Sequence, residues 1–173
     1  MKFSLTNNDL LDFQTYIITS SKKAKRMQIF NTIGIFTELM VVCFLVDILL
    51  KTSFITITGV FLGIAWLVFY PKFLRKKQLK ILKSLKISTD KKDFILNINE
   101  TGFTYEDENF KFDEISNIIE CANIYILNAK QKLYLIIAKN AQTQKAISKI
   151  SKNSNKLIAR YEKLSYENFI NNV

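Results

Sequence analysis

Histidine is absent from the 173 residues, which removes the Ser–His and Cys–His nucleophilic pairs and every metal site that needs an imidazole. Cysteine occurs twice, as Cys43 inside an apolar run and Cys121 in polar sequence, so a disulfide framework is excluded. With Gly 4 and Pro 1, neither a P-loop nor a dinucleotide fingerprint occurs. No metal site and no cofactor are expected, and an enzyme is the least favoured class. Acidic residues are scarce, at 15 against 25 Lys+Arg. The balance of +10 suits nucleic acid, anionic lipid or an acidic partner.

The position of the charge decides among these. Lys22, Lys23, Lys25 and Arg26 precede a long apolar region, and Lys72, Arg75, Lys76, Lys77, Lys80, Lys83 and Lys86 follow it. From Lys91 onward the two signs nearly cancel. Such clustering is a membrane signature, and no nucleic-acid partner is expected. The first apolar run covers residues 27–50, interrupted by Gln28, Asn31, Glu38 and Asp47; the second covers 54–70 and carries no charge. At about 1.5 Å per residue the first crosses a core of roughly 30 Å, and the second just reaches with its flanks. Lys51-Thr52-Ser53 between them allows only a tight turn. The alternative is a pair of core helices in a soluble α-helical domain, which the flanking basic clusters disfavour. The polar, amphipathic first 26 residues do not read as a cleavable signal peptide. Because both clusters flank one membrane face, both termini are expected on the cytoplasmic side and the turn outside. Trp66 and Tyr70 fit an interfacial belt on that side, and Pro71 is expected to end or kink the second helix.

Residues 1–26 read as a strand, Phe3-Ser4-Leu5-Thr6, and an amphipathic helix. A capping box, Thr6-Asn7-Asn8-Asp9, opens the helix, and Leu10, Phe13 and Ile17 mark one face. It is expected to continue into the first span. Residues 71–90 read as a basic amphipathic helix, either lying on the anionic leaflet or extending the second span. Residues 91–173 change to a period of two. Strands are expected at 94–98, 103–105, 110–112, 115–120, 124–127 and 133–138, forming one antiparallel meander. A helical tail follows from Ala141 to Tyr161 and beyond, broken near residues 151–155, with Leu157, Tyr161 and Leu164 on one face. The fold class is therefore an α+β membrane protein: a transmembrane α-hairpin plus a small antiparallel β domain with a C-terminal helix.

This order of elements resembles the YcxB-like family of bacterial membrane proteins. The residues carrying the resemblance are Phe3-Ser4-Leu5-Thr6 with Asp9, the hairpin, Glu100-Thr101-Gly102-Phe103, Phe112-Asp113-Glu114-Ile115, and Ile119-Glu120 with Ile124-Tyr125-Ile126. The sequence departs from the family at Phe112, where tryptophan is usual, and in lacking a proline after the last strand. The resemblance implies a cytoplasmic domain similar to pleckstrin-homology domains and a place in the bacterial cytoplasmic membrane. It implies no reaction.

Glu38 stands out, because a charged carboxylate at mid-span costs about 2.5 kcal/mol or more. Asn31 lies seven residues earlier with Gly34 between, and Thr56, Gly59, Gly63 and Trp66 share a face of the second span. One reading is a polar seam of Asn31, Glu38, Gly59 and Gly63 that binds an ion, a proton or a partner helix. The other is a Glu38 hydrogen-bonded across the hairpin or between protomers as a packing contact. Asp47 reads as pairing with Lys51 or reaching the interface. Lys72, Arg75, Lys76, Lys77, Lys80 and Lys83 are the candidate anionic-lipid contacts. The acidic stretch Glu106-Asp107-Glu108, near Asp113 and Glu114, lacks calcium-loop spacing and reads as a solvated tip. Cys121 reads as inert filling.

The expected function is a non-catalytic membrane protein whose cytoplasmic domain binds a protein or lipid at the inner face. One alternative is an immunity protein whose partner is a membrane-directed toxin. Another is a small transporter or channel subunit built on the Glu38 seam, requiring a homo-oligomer.

Overall fold

The computed structural model describes residues 1–85, 92–130 and 133–171, which form two compact units. One unit combines Met1–Tyr16 with the chain from Leu85 onward; the other is Ile17–Ser84.

The first unit is built from two four-stranded sheets. The chain opens with β1, Lys2–Leu5, whose Phe3 and Leu5 are buried while Lys2 and Ser4 face out, as a period of two requires. Its partner lies far along the sequence. Antiparallel pairing with β2, Lys92–Ile98, sets Phe3 opposite Phe94 and Leu5 opposite Lys92. The opening strand therefore belongs to the β unit and not to a separate N-terminal segment. β3, Gly102–Tyr105, and β4, Glu108–Lys111, complete the order β1-β2-β3-β4. Glu106 takes φ 54 at the β3–β4 turn, and Phe103 stacks on Phe110 with ring centroids 5.3 Å apart.

A 3₁₀ turn at Phe112–Glu114, with Phe112 buried, ends this sheet. The second sheet has the order β7-β6-β5-β8, from β5, Ile115–Glu120, β6, Ile124–Ala129, and β7, Leu133–Ala138, with β8, Ile158–Arg160. The expected single meander is thus two sheets, and the phenol of Tyr105 on β3 links them by donating to the Ile136 carbonyl on β7 at 2.8 Å. Leu96, Phe103, Phe110, Ile118, Leu127 and Ile137 fill the core.

Helix α5, Ala141–Ser154, closes the core with Ile147 and Ile150. Asn140 caps it by accepting from the amides of Gln142 at 2.9 Å and Thr143 at 2.8 Å. Asn155, at φ 53, ends it in the left-handed conformation. Here the structure departs from the expected tail. Directly past Asn155 the chain is extended and not helical: Ile158–Arg160 is β8, parallel to β5, and Leu157 is 94% exposed. A three-residue parallel strand has too little alternation to register in the sequence, and the Asn155 reversal that aims it is a backbone property. The short α6, Tyr166–Asn171, follows.

Helix α1, Asn7–Thr19, opens with the expected cap: Asp9 accepts from the Thr6 amide at 2.8 Å and the Thr6 hydroxyl at 2.7 Å. Its buried face is not the apolar one. Asp9, Asp12, Thr15 and Tyr16 are buried, while Leu10, Phe13 and Ile17 are only half-buried. Nor does α1 run unbroken into the apolar region. The chain bends at Ser20-Ser21, where the Ser21 hydroxyl accepts from the Ala24 amide at 3.1 Å and starts α2, Lys22–Ile29. A π-helical segment, Phe30–Gly34, leads into α3, Ile35–Leu50.

The last helix of the second unit, α4, runs from Phe54 to Ser84 without a break and contains Pro71. Pro71 therefore does not end it, and the basic stretch is an extension of the second apolar helix, not a separate element. The expected boundary at 90/91 and Lys86 lie outside the described residues.

Candidate functional site

Two helices are long and apolar enough to cross a membrane, one within Asn7–Leu50 and one within Phe54–Ser84. Their apolar side chains are mostly uncovered. Phe44, Leu49, Phe61 and Phe69 are 58%, 81%, 69% and 65% exposed, the reverse of a soluble core helix.

Asp47 closes the turn of this hairpin. One carboxylate oxygen accepts from the Thr52 hydroxyl at 2.7 Å and the Ile55 amide at 3.1 Å; the other accepts from the Thr56 amide at 2.6 Å. The first amides of a helix have no partner within it, so a buried carboxylate there supplies what α4 lacks. Pairing with Lys51 is not its role. Lys51 ends α3 at φ 51, and its backbone amide donates to the Ile48 carbonyl.

The helices meet where α4 has no side chain. A Cβ on Gly59 would stand 2.7 Å from Cys43 Sγ and 3.9 Å from Met40 Sδ, and one on Gly63 would overlap the Phe36 ring. The seam thus joins Gly59 and Gly63 to Phe36, Met40 and Cys43. It does not include Glu38. At 100° per residue Glu38 lies on the opposite side of α3 from Phe36 and Met40, and its side chain is exposed. The π segment widens the turn that carries Asn31, which offsets it from the line of Glu38 and leaves it half-buried. The expected polar seam is therefore divided, and the two glycines and Glu38 serve different faces. At 3.6 residues per turn Asn31 would align with Glu38, and nothing in the composition announces a π segment.

Lys72, Arg75, Lys76, Lys77, Lys80 and Lys83 are all exposed on α4. Lys76, Lys77 and Lys80 join Phe73, Ile81 and Ser84 around an apolar-walled concavity of about 600 Å³. A second, of about 720 Å³, is lined by Lys22, Lys23, Lys25 and Arg26 with Met27, Ile29 and Phe30. Each is lined by cationic and apolar side chains together. The residues of α2 were visible as a charge cluster; their pairing with Met27, Ile29 and Phe30 was not. Trp66 stacks on Tyr70 at 4.6 Å, earlier on α4 than the basic residues.

The β unit holds a buried acid that its sequence did not announce. Asp12 on α1, 2% exposed, accepts from the Asn123 side chain at 2.8 Å and the Tyr166 amide at 2.7 Å. It thereby ties α1 to the β5–β6 turn and to the C-terminal segment. Tyr16, whose ring meets Tyr161 edge-on at 5.9 Å, reinforces that tie. Burial raises the Asp12 pKa above 3.8, partly offset by the Tyr166 and Asn123 donors. Burial also pushes the Cys121 thiol up to about 12, in keeping with inert filling. Glu120 pairs with Lys139 at 2.6 Å and Arg160 at 3.4 Å, fastening β8. Glu114 accepts from the Lys111 amide at 3.0 Å, so part of the acidic stretch caps a turn. Among the described residues no group of three or more Cys, Asp or Glu could hold a metal ion.

A raised carboxyl pKa means that the folded state holds its proton more tightly than the unfolded one. Stability from Asp12 is fully present below 3.8 and is lost as pH rises through the higher folded value. Wild type is therefore expected to gain on Asp12→Asn as pH falls through that window, in urea titrations read at several pH values. Asp12→Ala, which strands two buried donors, is expected to cost about 1–3 kcal/mol at pH 7, with Asp12→Asn, which keeps one acceptor oxygen, between it and wild type. A gap between wild type and Asp12→Asn that ignores pH would refute the assignment.

No family model, no curated protein and no solved structure matches the chain.

Proposed function

We propose that the protein is a membrane-anchored binding module. The α3–α4 hairpin crosses the bacterial cytoplasmic membrane with both termini on the cytoplasmic side, the basic lengths of α2 and α4 hold anionic lipid, and the β unit binds a protein or lipid partner at that face. The observation carrying this is the placement of exposed Lys and Arg around apolar hollows on the helices that extend from the hairpin. A core helix would bury those hollows, and a nucleic-acid surface would not wall them with Phe73, Ile81 and Phe30. The two sheets closed by α5 support the pleckstrin-homology-like reading of the β unit and, with the hairpin, the resemblance to the YcxB-like family. The seam of Gly59 and Gly63 is apolar on its α3 side, which leaves a transporter reading without a polar path inside one chain.

Trp66, the sole tryptophan, provides the test. The full chain is reconstituted in vesicles, and Trp66 quenching by brominated phosphatidylglycerol is compared with that by brominated phosphatidylcholine. At about 1 kcal/mol per engaged basic residue, each contributes roughly a fivefold preference for the anionic lipid. The preference is expected at 0.1 M salt and should fade at 1 M, where the Debye length falls from about 10 Å to about 3 Å. Lys76, Lys77 and Lys80 changed together to Gln should remove most of it. Equal quenching by both lipids at low salt would defeat the lipid assignment.

A further inference from the structure

Helix α3, with Gly34 at its N-terminal junction, carries two stripes with the same alternating spacing of four and three residues. One, Phe36, Met40, Cys43 and Asp47, lies against α4 or caps it. The other, Gly34, Glu38, Val41, Leu45 and Ile48, lies on the far side. There Glu38 is exposed, and Val41, Leu45 and Ile48 are 52%, 53% and 58% exposed. A four-three spacing keeps a straight row of side chains facing one neighbouring helix. In lipid the apolar members of such a row need no cover, but a carboxyl group does.

We propose that this outer stripe of α3 pairs with the same stripe of a second copy of the chain. The inference rests on the reading that the hairpin lies in a bilayer. The chemistry of the row selects the occupant. Two copies inserted in the same direction meet about a twofold axis along the membrane normal, so each residue of the stripe faces itself. A carboxylic acid is self-complementary, since it offers its mate both a donor and an acceptor. Gly34, with only the Phe30 ring near its missing Cβ at 3.9 Å, leaves room for close approach one turn away. Val41, Leu45 and Ile48 continue the row with side chains that interdigitate with their own kind. A basic partner helix would also satisfy Glu38, and cross-links to a different polypeptide are its signature in the test.

The experiment uses the full chain in membranes, with Cys43 and Cys121 replaced by Ala and one cysteine introduced at a time. Val41→Cys and Leu45→Cys should form disulfide-linked dimers on mild oxidation. Phe44→Cys, exposed but about 80° off the centre of the stripe, should form fewer. In the Val41→Cys background Glu38→Leu should lower the cross-linked fraction about tenfold, whereas Glu38→Gln, whose amide is also self-complementary, should keep most of it. An alkaline carbonate wash of the same samples separates the two layers of the argument. Release of the chain overturns both the bilayer reading and the pairing. Retention without cross-links, equal cross-linking at Phe44, cross-links to a different polypeptide, or indifference to Glu38→Leu each overturns the pairing alone.

Discussion

Gly102→Ala is expected to be among the most damaging single changes in the β unit. A Cβ at this position would overlap the Phe110 carbonyl and stand 3.2 Å from the Lys111 Cα, all of it backbone. Backbone cannot swing aside as a side-chain tip does, so β3 and β4 must part across the Gly102–Lys111 and Phe103–Phe110 pairs. Both phenylalanine rings are 2% exposed and stacked, and separating them opens the core. Overpacking of this kind costs about 3 kcal/mol. For a unit of this size that corresponds to a fall in Tm of about 15 °C. Thermal unfolding of the solubilised full chain, followed by near-ultraviolet circular dichroism, gives the value. A fall of only a degree or two would mean that the strands are not held at this separation.

The second large effect is expected at the turn of the hairpin. Asp47→Ala removes the acceptor of two α4 amides and a hydroxyl at once, and a charge-assisted hydrogen bond contributes about 1.5–3 kcal/mol. The first turn of α4 should fray, and the turn should become a protease site in reconstituted vesicles. Asp47→Asn keeps one acceptor oxygen and should lie between. Lys51→Ala tests the competing account, since a role in pairing with Lys51 requires both alanine variants to behave alike. The structure predicts that Lys51→Ala resembles wild type, because the α3 end uses the backbone of Lys51 and not its ammonium group.

Much of this architecture is legible in the sequence because its signals are local. The apolar runs, the basic clusters beside them and the Thr6–Asp9 cap are each set by neighbours a few residues apart. The strands at 115–120 and 133–138 show for the same reason. What escapes are properties set by distant segments or by backbone conformation. Nothing near Lys2–Leu5 announces that its partner begins at Lys92, and Asp12 resembles an exposed helix acid until Asn123 and Tyr166 close over it. The candidate site divides along the same line. The basic face of α4 was readable because exposure is the default for lysine. The place of Glu38 was not, because the side of α3 that meets α4 is chosen by Gly59 and Gly63, on another helix.

The pairing of β1 with β2 carries a topological consequence. Between Leu5 and Lys92 the chain leaves the sheet, runs through the whole hairpin, and returns to hydrogen-bond with its own beginning. Both ends of that excursion lie in one sheet and therefore in one compartment. A chain that departs from and returns to the same side of a bilayer crosses it an even number of times. If the hairpin lies in a bilayer as proposed, two crossings satisfy this parity; a single crossing, with the other helix lying flat on the surface, does not. The Phe3–Phe94 pair, with ring centroids 5.7 Å apart, closes that excursion within the sheet.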